Sequence, residues 1–200
     1  MKTRSSLFIL VATISTATVL AKDEDVIKSF DSPDKRFTLR VIQPSTDGGE
    51  TKLQLVEKAS DKVVGDLGTD YPAIMQRIKV VWSGDSQRVA YRTADQKEWR
   101  TEVYFWDGSA FKYVALPQEL PSPDITFRKT DEQGGVKNYG GGTEPVRWLK
   151  SGDLELLSEQ TQMARESSRS YTGSMTITIA FDAQHRASVK SVSKSKTRVE

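Results

Sequence analysis

Across residues 175–181 apolar and polar side chains alternate without a break. Met175, Ile177, Ile179 and Phe181 fall on one side, Thr176, Thr178 and Ala180 on the other. A helix would scatter these residues around its circumference. A strand sends successive side chains to opposite faces, so a period of two predicts a half-buried β-strand. The pattern recurs at Phe37-Leu39-Val41, at Leu53-Leu55 and at Val89-Tyr91. Residues 101–107 are apolar on both faces, Val103 and Phe105 against Tyr104 and Trp106, which predicts a strand covered on both sides. Helical stripes are short, at residues 71–77 after Pro72 and at residues 158–168. The expected class is all-β or nearly so.

Turn residues separate these runs. Asp47-Gly48-Gly49, Asp107-Gly108 and Ser151-Gly152-Asp153 supply side chains that close their own turns and backbones that tolerate positive φ. Asp107-Gly108 predicts a hairpin between residues 101–106 and 111–116, and residues 182–186 predict another between 174–181 and 187–192. Residues 117–145 hold four prolines and five glycines, which predicts one long connection with a single strand near 125–128. Within it, residues 129–143 are expected to open most easily. They offer only Val136 and Tyr139 as large apolar anchors, and their glycines raise the entropy cost of ordering.

The N-terminus reads as an export signal. Lys2 and Arg4 precede an uncharged run over residues 7–20. Val19-Leu20-Ala21 then offers a small-residue cleavage site before Lys22-Asp23-Glu24-Asp25. The expected division is a signal peptide at 1–21 and a single β-rich domain at 22–200, exported to the periplasm or beyond. The run is too short and too rich in Ser and Thr for a comfortable membrane span, so no span is expected in the mature form. The chain carries 29 Lys and Arg against 27 Asp and Glu. Loss of Lys2 and Arg4 leaves the mature form with zero formal net charge, which removes the bulk-charge argument for a nucleic-acid partner. Cysteine is absent, so stability rests on packing and hydrogen bonds.

Three stretches share a Ser-X-Asp turn ahead of a strand: Ser32-Pro33-Asp34, Ser83-Gly84-Asp85 and Ser151-Gly152-Asp153. Trp82 and Trp148 end the strands before the second and third. Ser and Asp close such turns through their own side chains, and Trp supplies a large packing surface. Trp82-Ser83-Gly84-Asp85-Ser86, running into Ala90-Tyr91, resembles the Trp-Ser-Pro-Asp-Gly element of TolB-like β-propeller repeats. Gly84 stands in place of the proline, and Lys35 and Ser86 in place of the glycine. The resemblance implies antiparallel, blade-like sheets in an open or incomplete propeller-like arrangement. An elaborated β-sandwich is the alternative.

Chemistry is sparsely signalled. The one histidine, His185, falls in a predicted turn, and without cysteine no zinc site of the usual nitrogen and sulfur type can form. No Gly-X-Ser-X-Gly elbow or phosphate-binding loop is present. No cofactor, metal site or catalytic residue is assigned. Asp34, Asp85 and Asp153 are expected to be structural. Trp82, Trp106 and Trp148 lie in apolar strand contexts and are expected in the core. Trp99 in a polar hairpin loop, Tyr139 in the Gly-rich stretch and Tyr171 in a Ser/Arg-rich one are the candidate binding residues, because exposed aromatics anchor partners. The expected function is a non-catalytic extracytoplasmic binding or scaffold domain, with a protein or another envelope component as partner. The alternative is a carboxylate-dependent hydrolase of the envelope.

Overall fold

The computed structural model describes residues 24–44, 51–70, 78–94 and 97–200. The segment read as a signal peptide, the Asp47-Gly48-Gly49 turn and the helical candidate at 71–77 lie outside the described residues. Strands β1 (Glu24–Asp31), β2 (Phe37–Pro44), β3 (Thr51–Glu57) and β4 (Lys62–Asp70) form a four-stranded antiparallel sheet in chain order. The remaining strands are β5 (Val80–Trp82), β6 (Arg88–Ala94), β7 (Glu98–Trp106), β8 (Phe111–Tyr113), β9 (Val136–Trp148), β10 (Leu154–Ala164), β11 (Ser170–Phe181), β12 (Ala187–Val192) and β13 (Lys196–Val199). They join in a second sheet of order β12-β11-β10-β9-β7-β6-β5, with β8 beside β7 and β13 beside β11. Among the described residues only β7 and β9 run parallel, and they touch at just two register pairs, Glu98 with Gly141 and Trp99 with Gly142. The protein is all-β, and neither sheet closes into a barrel.

The alternating patterns explain the layers. Phe37, Leu39 and Val41 of β2 and Leu53 and Leu55 of β3 meet Val89, Tyr91 and Phe111 in one core. Ala90, Val103 and Phe105 point the other way and meet Leu154, Leu156 and Ile177 in a second. The β6–β7 ribbon is therefore buried on both faces, as the two-sided apolar run predicted. Each fully buried leucine or phenylalanine contributes roughly 1.5–3 kcal/mol to such cores. The far face of β10 and β11 carries Glu155, Glu159, Thr172, Thr176 and Thr178, so apolar stacking ends there. The Trp106–Phe111 and Phe181–Ala187 pairs close the two predicted hairpins.

The turns that lead into β2, β6 and β10 are built alike. Ser32 Oγ donates to Asp34 at 2.7 Å, Ser83 Oγ to Asp85 at 2.5 Å and Ser151 Oγ to Asp153 at 2.8 Å. Backbone bonds place the third turn two residues out of the register that its Ser-X-Asp implies. Lys35 N–H donates to Ser32 O and Ser86 N–H to Ser83 O, but in the third turn Gly152 N–H donates to Leu149 O. Leu149 thus takes the place of Ser83, and the positive φ falls on Lys35 (63°), Ser86 (58°) and Gly152 (89°). Neighbouring turns are tied together. Trp82 Nε1 donates to Phe30 O at 3.0 Å, and Trp148 Nε1 donates to Val81 O at 3.1 Å. Phe30 and Val81 each stand two residues before the serine of their turn.

Residues 117–145 are not one loose connection. No strand forms at 125–128; an extended strap there gives way to the short helix α1 (Lys129–Gln133), and residues 136–145 belong to β9. The strap is tied at several points. Leu116 and Leu120 pack on the second core. Ser158 Oγ donates to Pro121 O, and Ser195 and Thr197 hydroxyls accept from Asp124 and Thr126 N–H. Gly173 leaves the room that Ile125 fills, since a Cβ there would stand 2.7 Å from Ile125 Cγ1. The helical candidate at 158–168 is also corrected. Residues up to Ala164 pair with β9 and β11 in a strand, and cross-strand pairing outweighs the weak helical pattern.

Candidate functional site

Where β7 begins, the chain must pass very close to β9, and three consecutive glycines permit it. A Cβ on Gly142 would overlap the carbonyl oxygen of Trp99, and one on Gly140 that of Lys97. Gly141 N–H donates to Lys97 O at 3.0 Å. Beyond this contact β7 and β9 diverge, and the strap passes over the gap. A cleft of about 480 Å³ results. Thr101, Thr143 and Ser158, all buried, lie at its base, and Leu116, Pro117, Leu120 and Pro121 of the strap form one wall. Its rim carries Glu98, Arg100, Gln118, Asn138 and Gln160, while Glu159, between Ser158 and Gln160, turns its side chain to the opposite face of β10.

Most of that rim is chemically unoccupied. Glu98, Gln118, Asn138 and Gln160 have no side-chain hydrogen-bond or ion-pair partner among the described residues. Below them the Thr101 hydroxyl is buried without a partner, while Thr101 N–H donates to Thr143 Oγ1 at 3.2 Å. Tyr113 lines the mouth with 59% of its surface exposed. Its ring meets Tyr104 edge-on at 5.5 Å. Tyr104 and Tyr91 in turn both donate to Glu102 Oε2, at 3.1 and 2.8 Å. Burial first, and the Glu102 charge second, push both of those phenols well above their ordinary pKa.

The three aromatics singled out in the sequence have different fates. Trp99 is the second residue of β7 rather than part of a loop. It is half-buried in the cleft lining, under the Arg92 guanidinium at 4.7 Å. Arg92 also donates to Glu144, which bonds Lys79 as well. Tyr139 is 57% exposed and is the extra residue of a bulge, since Gly140 faces Thr161 and Asn138 faces Gln162. It neighbours the cleft through Asn138 and Gly140. Tyr171 is a correction: it lies in β11, fully buried, and cannot serve as an exposed anchor. The polar residues around it misled, because they flank a strand whose alternate side chains point inward. Tyr113 carries only a weak signal in the sequence, an aromatic at the end of a hairpin strand shortly before Pro117.

Tyr171 instead holds the strap. Its hydroxyl donates to Asp131 of α1, and Arg169 Nη1 bonds both Asp131 oxygens, at 3.2 and 3.0 Å. The Tyr171 hydroxyl foremost, with Ser167 and Arg169, outweighs burial and holds the Asp131 carboxyl down at about 2. Asp85 and Asp153 also lie below the usual carboxylate range. Burial opposes this at Asp85 but is outweighed by Ser83, Gln87 and Arg88, and at Asp153 Lys190 leads the lowering. These acids act as acceptors that close the backbone, the structural role expected of Asp85 and Asp153.

His185 is exposed in the β11–β12 turn at φ 60°, its ring 4.8 Å from Phe105. Among the described residues no three His, Cys, Asp or Glu side chains cluster as metal ligands, and no helix is long and apolar enough to cross a membrane. No protein-family model matches the chain, and no curated protein matches it.

Proposed function

We propose that this chain is an exported binding domain of the cell envelope, which holds a protein or other envelope component at the cleft beside β7 and β9. The observation that carries the reading is the group of polar side chains around the cleft that bond to nothing else among the described residues. Buried polar groups are almost always paired, and the Thr101 hydroxyl at the base of this cleft is not. A cleft that sets such a group beneath amides and a carboxylate, beside exposed Tyr113, suits recognition. The sheets serve as its scaffold, as an open, propeller-like stack. Support for that resemblance comes from the Trp-to-carbonyl bonds between successive turns and from Gly152, which takes the position of the motif's glycine. Export rests on the arrangement of residues 1–25, and secreted protein should begin at Lys22 by intact mass; a retained Met1 contradicts it.

Photo-crosslinking in the native envelope tests the binding reading. A crosslinking residue at position 113 should give a discrete adduct, and one at position 178, on the polar outer face, should give none. Equal labelling from both positions, or none from position 113, overturns it.

A further inference from the structure

Resting on the binding reading above, we propose that the cleft takes a short uncharged glycan, roughly two to three sugar units long given the few-hundred-Å³ scale of ligand pockets. A sugar ring has an apolar C–H face and an edge of hydroxyls, each both donor and acceptor. The cleft offers a counterpart to each. Tyr113 is an exposed ring braced by Tyr104 and, through it, by Glu102, so it forms a stiff platform for the apolar face. Gln118, Asn138 and Gln160 each present a donor and an acceptor in one plane, and Glu98 presents two acceptor oxygens. Beneath them the unpartnered Thr101 hydroxyl has hydrogen-bonding capacity to spare at a position only 6% exposed.

Other ligand classes fit less well. An extended peptide adds to a sheet through free backbone groups, but where β7 and β9 meet, Gly141 N–H is committed to Lys97 O and Thr101 N–H to Thr143 Oγ1. A phosphorylated or polyanionic ligand would find only the Arg100 guanidinium, which already faces Glu102 at 4.0 Å and stands near Glu98. A lipid chain would leave the amides at the rim unsatisfied.

The test is a calorimetric or NMR titration of the purified protein with chitotetraose and cellotetraose, and with tetra-alanine as the peptide arm. One of the uncharged tetrasaccharides should bind saturably. Tyr113→Ala should weaken it on the order of tenfold through loss of the stacking face. Gln160→Ala should weaken it less, and Thr178→Ala on the outer face should leave it unchanged. Circular dichroism verifies that each variant is folded. No saturation with either sugar, or saturation that Tyr113→Ala and Gln160→Ala both leave intact, overturns the glycan assignment. Binding of tetra-alanine in place of the sugars overturns it too, yet leaves the cleft as a binding site. The binding reading itself falls with the crosslinking at position 113.

Discussion

The two ends of the β6–β7 ribbon are built on opposite principles. At the Ser83–Arg88 end almost every polar group is answered. Ser83 and Asp85 close their own turn, Arg88 reaches Gly152 O at 2.8 Å, Asp34 N–H donates to Ser86 Oγ at 3.1 Å, and Trp82 caps the preceding sheet. At the Glu98–Thr101 end the backbone is just as tightly held, by the glycine contact with β9, but most polar side chains of the cleft rim are left unpaired. A polar group paired inside the protein specifies its structure; one left open at a cleft is available to something else. The contrast separates what builds this molecule from what it presents.

The largest effect should come from emptying the built end. Trp82 packs against the first core, meets Phe111 at 5.7 Å and donates to Phe30 O. Trp82→Ala should cost roughly 3–5 kcal/mol in urea unfolding. An unchanged midpoint would show that the turn end does not lock the sheets. Next comes the backbone of the open end. Gly142→Ala forces a methyl group into the Trp99 carbonyl, so roughly 1–3 kcal/mol should be lost as β7 and β9 move apart. A stable Gly142→Ala protein with an intact cleft would mean that the glycines serve another purpose.

A smaller effect is expected at the strap. The Asp131 carboxyl is held at about 2, below the ~3.9 of an unfolded chain, so its stabilisation is complete above ~4 and is lost as pH falls from there toward ~2. Asp131→Asn should therefore unfold earlier than wild type near neutral pH, and the gap should narrow on acidification through that window. A gap that does not change with pH would show that the Tyr171 and Arg169 contacts do not depend on the charge. The smallest effect should come from the open side chains. Gln118→Ala and Gln160→Ala should shift stability by no more than about 0.5 kcal/mol, as exposed substitutions do. A larger loss would erase the distinction between the two ends.

Much of the scaffold was legible in the residues, because its causes are local. Alternation at residues 175–181 placed β11, two-sided apolarity placed β7 between two cores, and Asp107-Gly108 placed a hairpin. The glycines at 140–142 were read as looseness. They serve close approach, and the difference depends on Lys97 and Trp99, some forty residues earlier in the chain. Tyr171 and Tyr113 show the same limit. Tyr171, among polar neighbours, is buried against Asp131, while Tyr113, in the largely apolar run 111–116, stands exposed at the cleft mouth.

The sequence by itself determined that this chain forms strands, where most of them turn, and which faces they bury. Side-chain alternation and turn chemistry act between neighbours a few residues apart. Only the tertiary structure decided that β7 meets β9 in parallel at two residue pairs, that the proline-rich strap crosses over the gap, and that polar side chains from three strands and the strap face one cleft. Those outcomes depend on which distant backbones can approach one another, and that is settled by the packing of whole sheets.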